Sequence, residues 1–235
     1  GMNPEMGCDP TYLRATLTIE SGHPAILACA ARVTGSCTND REKLARLFTF
    51  VRDSIRYNLF MISAFEEDFR ASRVLEWGKG YCVQKAVLLA ALARAAGIPG
   101  RLAFAKIKNH RTPAHIVQTV GSNVFPRHGY NQFFCEGRWV SAVAAFDRDL
   151  CESNGLPTVE FDGTTDAVLP EKDLQGRPYI EYIEKYPPTA DLPFPWIVPV
   201  ISARFGPDKR PSLSRQGDKG SDRDQGIADA GPTRE

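Results

Sequence analysis

The sequence predicts an α+β domain organised around one buried helix, and three stretches carry that prediction. The first is Trp77-Gly78-Lys79-Gly80-Tyr81-Cys82, a glycine turn. The run that follows it, from Val83 to Ala96, is apolar on every face and stops at Gly97 with Pro99 just beyond, as a core helix does. The second is Thr38-Asn39-Asp40, a cap ahead of Leu44, Leu47, Phe48, Val51 and Ile55, which share one helical face. The third runs from His128 to Cys135, turns at Glu136-Gly137, and returns from Arg138 to Phe146. Two apolar runs joined by a two-residue turn ending in glycine predict a β-hairpin.

The remaining elements follow in chain order. Residues 11–20 are β-branched and apolar and predict a short strand. Ser21-Gly22-His23-Pro24 opens a helix to about Val33, with Pro24 in its first turn and His23 exposed or capping. Tyr57 to Phe69 is aromatic and mixed in charge and predicts irregular structure; Ala71 to Leu75 leads into the glycine turn. After the central helix, Arg101 to Lys108 alternates as a strand. Asn109 to Pro126 is a long connection with a helix around Ala114 to Val120. Asp147 to Gly155 forms a helical turn, Glu160 to Gly163 an acidic loop, and Tyr179 to Tyr186 a last strand or helix. Residues 187–199 hold five prolines and are expected to drape over the domain as extended chain. From Gly206 onward there is no aromatic residue, so 206–235 is expected to be a disordered tail. Residues 2–200 then form a single domain with its core at about 40–150.

Composition narrows the function. A net charge of +1 gives no strong attraction to nucleic acid or an anionic membrane. No apolar run approaches the roughly 20 residues of a membrane span, and residues 1–10 lack the basic start and apolar stretch of a secretory signal. Cysteines stand at 8, 29, 37, 82, 135 and 151 with no C-x-x-C pair, which argues against structural zinc and for reduced thiols in the cytoplasm. The histidines at 23, 110, 115 and 128 are too scattered for a metal box, so neither metal nor cofactor is expected.

The chemistry points to Cys82. At the start of a core helix, unpaired N–H groups and the helix dipole favour negative charge, and a thiolate there is expected below the roughly 8.5 of a free cysteine. The same N–H groups suit an oxyanion. The alternative is a small buried hydrophobe, a common role for free cysteine. A nucleophilic cysteine needs a base. His110 and His115 sit in a polar connection, whereas His128 opens the hairpin and is better placed.

Gly80-Tyr81-Cys82, Arg94, Gly97-Ile98-Pro99-Gly100-Arg101, His128 and Gly137-Arg138-Trp139-Val140 together resemble the transglutaminase-like superfamily over about residues 40–150. The resemblance implies a papain-like core, with the cysteine-bearing helix packed on an antiparallel sheet, and a Cys-His-Asp arrangement led by Cys82 and His128. It implies a cysteine-dependent acyl-transfer enzyme acting on a peptide or protein amide through a thioester, with hydrolysis favoured. The alternatives are a catalytically impaired binding module, a protein cross-linking transglutaminase, and acyl transfer from a thioester donor. The chain departs from the pattern at Val143, where an acidic residue is expected after the tryptophan. Continuing the hairpin register from Cys135 opposite Arg138 sets His128 opposite Ala145, with Asp147 on the diagonal as the substitute third member. The competing role for Asp147 is the N-cap of residues 148–154, and Asp162 and Asp166 are outside candidates. Trp77, Tyr81, Gln84 and Tyr130 are candidates to line the site or donate to an oxyanion, with Gln84 better suited to a structural role. Arg94 and Arg101 are expected in structural ion pairs. The sequence leaves the oligomeric state open.

Overall fold

A computed structural model describes residues 7–213. Helices α1 (Pro24–Thr34) and α2 (Asp40–Ser54) come first. His23 Nδ1 caps α1 by accepting Ala25 N–H (3.1 Å), and Asn39 Oδ1 caps α2 by accepting Glu42 N–H (2.9 Å). Strand β1 (Arg56–Tyr57), helix α3 (Ala71–Trp77) and strand β2 (Lys79–Gly80) lead into α4 (Cys82–Ala95). Strand β3 (Gly100–Asn109), helix α5 (Ala114–Val120), strands β4 (Val124–Cys135) and β5 (Arg138–Ala142), helix α6 (Arg148–Ser153), strand β6 (Ile180–Lys185) and helix α7 (Phe194–Phe205) follow.

Every residue of α4 from Val83 to Arg94 is buried, because α1, α2 and α3 pack on one side of it and β3 and β4 on the other. The sheet is antiparallel with order β5-β4-β3-β6. This is the α+β, papain-like arrangement in which a central helix carries the cysteine. Arg94 anchors the far end of α4 through backbone carbonyls: Gly100 (3.1 and 2.8 Å), Arg14 (2.6 Å) and Ala190 (2.5 Å). Its partners are therefore carbonyl oxygens and not the carboxylates expected. Arg101 likewise makes no ion pair among the described contacts; it stacks on Trp139 at 3.7 Å and donates to Gln132 Oε1 (2.9 Å).

The hairpin turn takes the form its twist favours, with Glu136 at φ 52° and Gly137 at φ 80°. Its ladder runs from Cys135↔Arg138 to Asn131↔Ala142 and ends there. On its other edge β4 pairs His128 with Ala105 and then Phe125 with Ile107, so one extra residue bulges at Pro126-Arg127. A proline, with no N–H to pair, suits a bulge.

Three expectations are corrected. Residues 11–20 form no strand: Pro10–Leu13 is a 3-10 turn, and the loop after it closes on itself through Thr16 N–H to Ile19 O (3.0 Å). The proline-rich stretch is extended only at its start, where Thr189 bridges Leu102, and becomes α7 from Phe194. Pro195 lies in the first turn, where its N–H is not needed, and Pro199 forfeits only the bond to the Pro195 carbonyl. Residues 206–213 pack back on the domain, with Ala64 N–H on Lys209 O (2.9 Å) and Ser212 N–H on Phe60 O (2.9 Å). Arg210 stacks on Phe65 at 3.5 Å and pairs with Glu67 (2.6 Å) and Asp68 (3.0 Å). The rest of the expected tail, 214–235, lies outside the described residues.

Candidate active site

The start of α4 is fixed by a short chain of contacts. Gly78 ends α3 at φ 65°, and the parallel ladder Arg56↔Lys79, Tyr57↔Gly80 ties the glycine turn to the end of α2. A Cβ on Gly80 would sit 3.2 Å from Gln84 Cβ and Oε1, so the turn closes tightly over the helix. Gln84 Oε1 accepts Tyr81 N–H (3.0 Å), while its Nε2 donates to the carbonyls of Met61 (2.7 Å) and Asp68 (3.0 Å). Gln84 is thus the structural clamp of this turn. Cys82 becomes the first residue of α4.

Gly129 brings β4 against that residue. A Cβ there would meet Val83 Cγ2 at 2.9 Å and Val83 Cα at 3.2 Å, so only glycine lets the strand approach this closely. The Cys82 thiol consequently faces the backbone N–H groups of Gly129, Val83 and Cys82 itself. Burial nevertheless outweighs those donors and pushes the thiol up to about 11. This runs against the expected depressed thiol: burial outweighs the helix start, although the Cys82 side chain keeps part of its surface exposed.

His128 immediately precedes Gly129 and lines the same cleft as Cys82. Tyr130 stacks on it (ring centroids 5.8 Å apart, 22° between planes), setting the orientation of the imidazole rather than lining the cleft. Burial pushes His128 down to about 4, and among the described residues no charged group offsets it and its buried Nε2 has no hydrogen-bond partner. At neutral pH the pair is thiol and neutral imidazole.

Asp147 is not the third member. Its Oδ1 accepts Leu150 N–H (2.9 Å), capping α6, and its Oδ2 accepts Tyr57 N–H (2.9 Å). The extrapolated register fails because the return strand leaves β4 after Ala142. Val143 N–H turns to Ala167 O (2.8 Å), and Ala167 N–H to Ser141 O (2.8 Å). Asp162 folds onto Thr164 and Thr165 N–H (2.8 Å each), and Asp166 accepts Ser141 N–H (2.9 Å), both at the surface. Trp77 lies outside the cleft lining, whereas Tyr81 lines it and its hydroxyl has no partner.

Sequence reasoning passed over Lys85, a charged residue in the first turn of a mostly apolar helix. It is buried one turn after Cys82 and donates to the carbonyls of Arg52 (3.0 Å) and Ala145 (2.8 Å). Burial pulls it down to about 7, with Asp147 and Asp53 opposing. Arg52, also buried, forks onto Asp53 (3.0 and 2.8 Å) and reaches Val159 O (2.7 Å) and Glu160 (3.0 Å). On the other face of α4, Asn131 Nδ2 donates to Ala86 O (2.8 Å), fixing β4 to the helix.

The cleft is partly open to solvent and lined mostly by apolar side chains. Cys82, His128, Tyr57, Tyr81 and Phe146 form one end; Ile107, Asn109 and Phe125 extend it along the sheet. Helix α7 roofs it with Ile197, Val200, Ile201 and Phe205. Tyr57 and Asn109, each hidden in a stretch with no readable period, were also missed from sequence. Among the described residues no helix is long and apolar enough to cross a membrane, and no three His, Cys, Asp or Glu side chains converge as a metal site.

A helix-borne cysteine and a strand-borne histidine meeting in a cleft define a thiol site on a papain-like core. The family model of the transglutaminase-like superfamily matches residues 27–144, half of the chain, and the protein belongs to that superfamily. No curated protein matches its sequence. Among solved structures it is similar to a Cytophaga hutchinsonii protein provisionally described as a cysteine protease (17% identity, 60% of this chain and 44% of that one, TM-score 0.47). It is also similar to the periplasmic domain of TgpA from Pseudomonas aeruginosa (21%, 59% and 48%, TM-score 0.43). A third is an arylamine N-acetyltransferase from Mycobacterium abscessus (13%, 57% and 46%, TM-score 0.39). The chain spans less than half the length of each.

Proposed function

We propose that the protein is a cysteine-dependent acyl-transfer enzyme that hydrolyses amide or peptide bonds through a thioester. The observation that carries this reading is that Cys82 and His128 line one cleft, with the thiol among backbone N–H groups and His128 Nε2 buried with no partner among the described residues. Because the resting pair is neutral, His128 takes the thiol proton as sulfur attacks the substrate carbonyl, instead of holding a preformed thiolate. The proton then goes to the leaving amine, and the C–N bond breaks to leave an acyl-Cys82 thioester. Water, deprotonated by His128, cleaves that thioester and regenerates the thiol. On this reading the Cys82 N–H and the Tyr81 hydroxyl would donate to the oxyanion. A lysine amine in place of water would make the same site a cross-linker.

The second reading, a catalytically impaired binding module, draws on one observation: among the described residues no carboxylate orients His128, since Asp147 serves other groups. Mass spectrometry of the protein incubated with a panel of peptide anilides separates the two. An acyl adduct on Cys82, with turnover lost in Cys82→Ala and His128→Ala, is the expected result. Turnover that survives Cys82→Ala, or none with any member of the panel and no adduct, would overturn the enzyme reading.

A further inference from the structure

The cleft extends well beyond the reacting pair, and its far end carries an unexplained polar atom. His128 pairs with Ala105 on β3; Ile107 and Asn109 follow on the same face, since side chains alternate along a strand. Four residues of strand place Asn109 about 13 Å from the level of His128. Asn109 is 1% exposed. Its Oδ1 accepts Arg111 N–H (2.9 Å), yet its Nδ2 is buried with no acceptor. Tyr81 Oη, at the reacting end, is in the same condition. Buried donors left without a partner are uncommon and call for an explanation. Two of them on the walls of one cleft point to acceptors carried in by a ligand.

The wall between them is apolar, formed by Ile107, Val120 and Phe125 below and by α7 above. Among the described residues no acidic side chain lines the cleft. Its two cations are already engaged: Arg127 stacks on Trp196 at 3.7 Å and donates to Pro126 O (3.1 Å), and Arg204 donates to Val124 O (2.7 Å). The occupant this environment fits is uncharged and apolar, with carbonyl acceptors spaced along it. A plain hydrocarbon chain lacks those acceptors, whereas an extended peptide has them.

We propose that the space between the sheet and α7 is the acyl-side pocket, taking an extended peptide of apolar residues that ends at the scissile carbonyl, with Asn109 Nδ2 donating to a backbone carbonyl at its far end. This rests on Cys82 being the nucleophile, and the test keeps the two claims apart. Calorimetry on Cys82→Ala would compare acetylated tetrapeptide amides built from leucine and phenylalanine with all-glycine and all-glutamate counterparts. The apolar peptide is expected to bind at least about tenfold more tightly. Asn109→Asp keeps the bond from Arg111 N–H but replaces the donor by an acceptor. It is expected to weaken the apolar tetrapeptide about tenfold and to leave the matching dipeptide, too short to reach it, unchanged. Equal binding of all compositions, or equal weakening of both lengths, would overturn the pocket. Wild-type turnover of the same tetrapeptide as its anilide is scored separately: binding without turnover removes the nucleophile and keeps the pocket, and turnover without length dependence does the reverse.

Discussion

Two buried polar regions meet on α4 and are built in opposite ways. Around Lys85 every donor has found an acceptor: its ammonium rests on two carbonyls, and Arg52 is held by Asp53, Glu160 and Val159 O. Along the cleft that opens one turn earlier at Cys82, three lining side chains carry buried atoms with no partner among the described residues, Tyr81 Oη and His128 Nε2 at the near end and Asn109 Nδ2 at the far end. An unmet buried polar group costs about 1–3 kcal/mol, so a chain keeps such groups together only where the surrounding frame holds them in place. The satisfied region is that frame. It locks α4, the end of α2 and the segment after β5 together, and the unsatisfied region is left to be completed by a ligand.

Substitutions can break this contrast. The largest effect is on turnover: Cys82→Ala should abolish it and His128→Ala should lower kcat by about 10²–10⁴-fold, measured on a cleaved peptide anilide. Neither should lower the melting temperature appreciably, since neither removes a hydrogen bond that holds the frame. Next comes Lys85→Met, which leaves the buried carbonyls of Arg52 and Ala145 without a donor. Urea unfolding should lose about 1–3 kcal/mol for each carbonyl left unsatisfied. His128→Leu, by contrast, removes an unpaired atom and should be neutral or stabilising. Equal losses at Lys85 and His128 would erase the distinction between frame and site.

Much of this was readable from the chain. The all-apolar run after Cys82, the glycine before it, and the Glu136-Gly137 turn are local signals, and each fixed its element. Cys82 could be placed from sequence because a helix start is also local, whereas β4 begins at Val124, four residues before the expected His128, so His128 lies inside the strand and not at its start. What escaped depended on distant contacts. The departure of β5 from β4 after Ala142 is set by Ala167, some 25 residues later, so the register could not be carried forward to Asp147. Helix α7 was hidden by its prolines, which local preference reads as extended chain but which its apolar packing over the cleft overrides. The direction of the thiol's shift was missed for the same reason, since the dryness comes from elements far from Cys82 in sequence.

Asp147 tests the frame from its edge. It accepts two backbone N–H groups and hydrogen-bonds neither Cys82 nor His128. Asp147→Asn keeps one acceptor oxygen and should cost about 1–2 kcal/mol of stability, near the value of a lost N-cap bond. Turnover by the folded protein should stay within about twofold of wild type. A hundredfold fall in kcat without unfolding would restore Asp147 as the residue that orients His128.

The smallest effect at neutral pH concerns the charge of His128. Folding lowers this imidazole from about 6.5 to about 4, so between those values the unfolded chain binds a proton that the native protein does not. Stability from this group is therefore whole above pH 6.5 and drains away as pH falls towards 4; at pH 7 it contributes no slope. Wild type and His128→Leu should show parallel stability above pH 7 and diverge below it, with wild type falling faster. The acid limb of kcat/KM should lie near pH 4 as well, because the base is competent once neutral. An acid limb near 6.5 together with parallel stability curves would mean that His128 sits in water, and the dry, unsatisfied cleft would then be no different from the protein's surface.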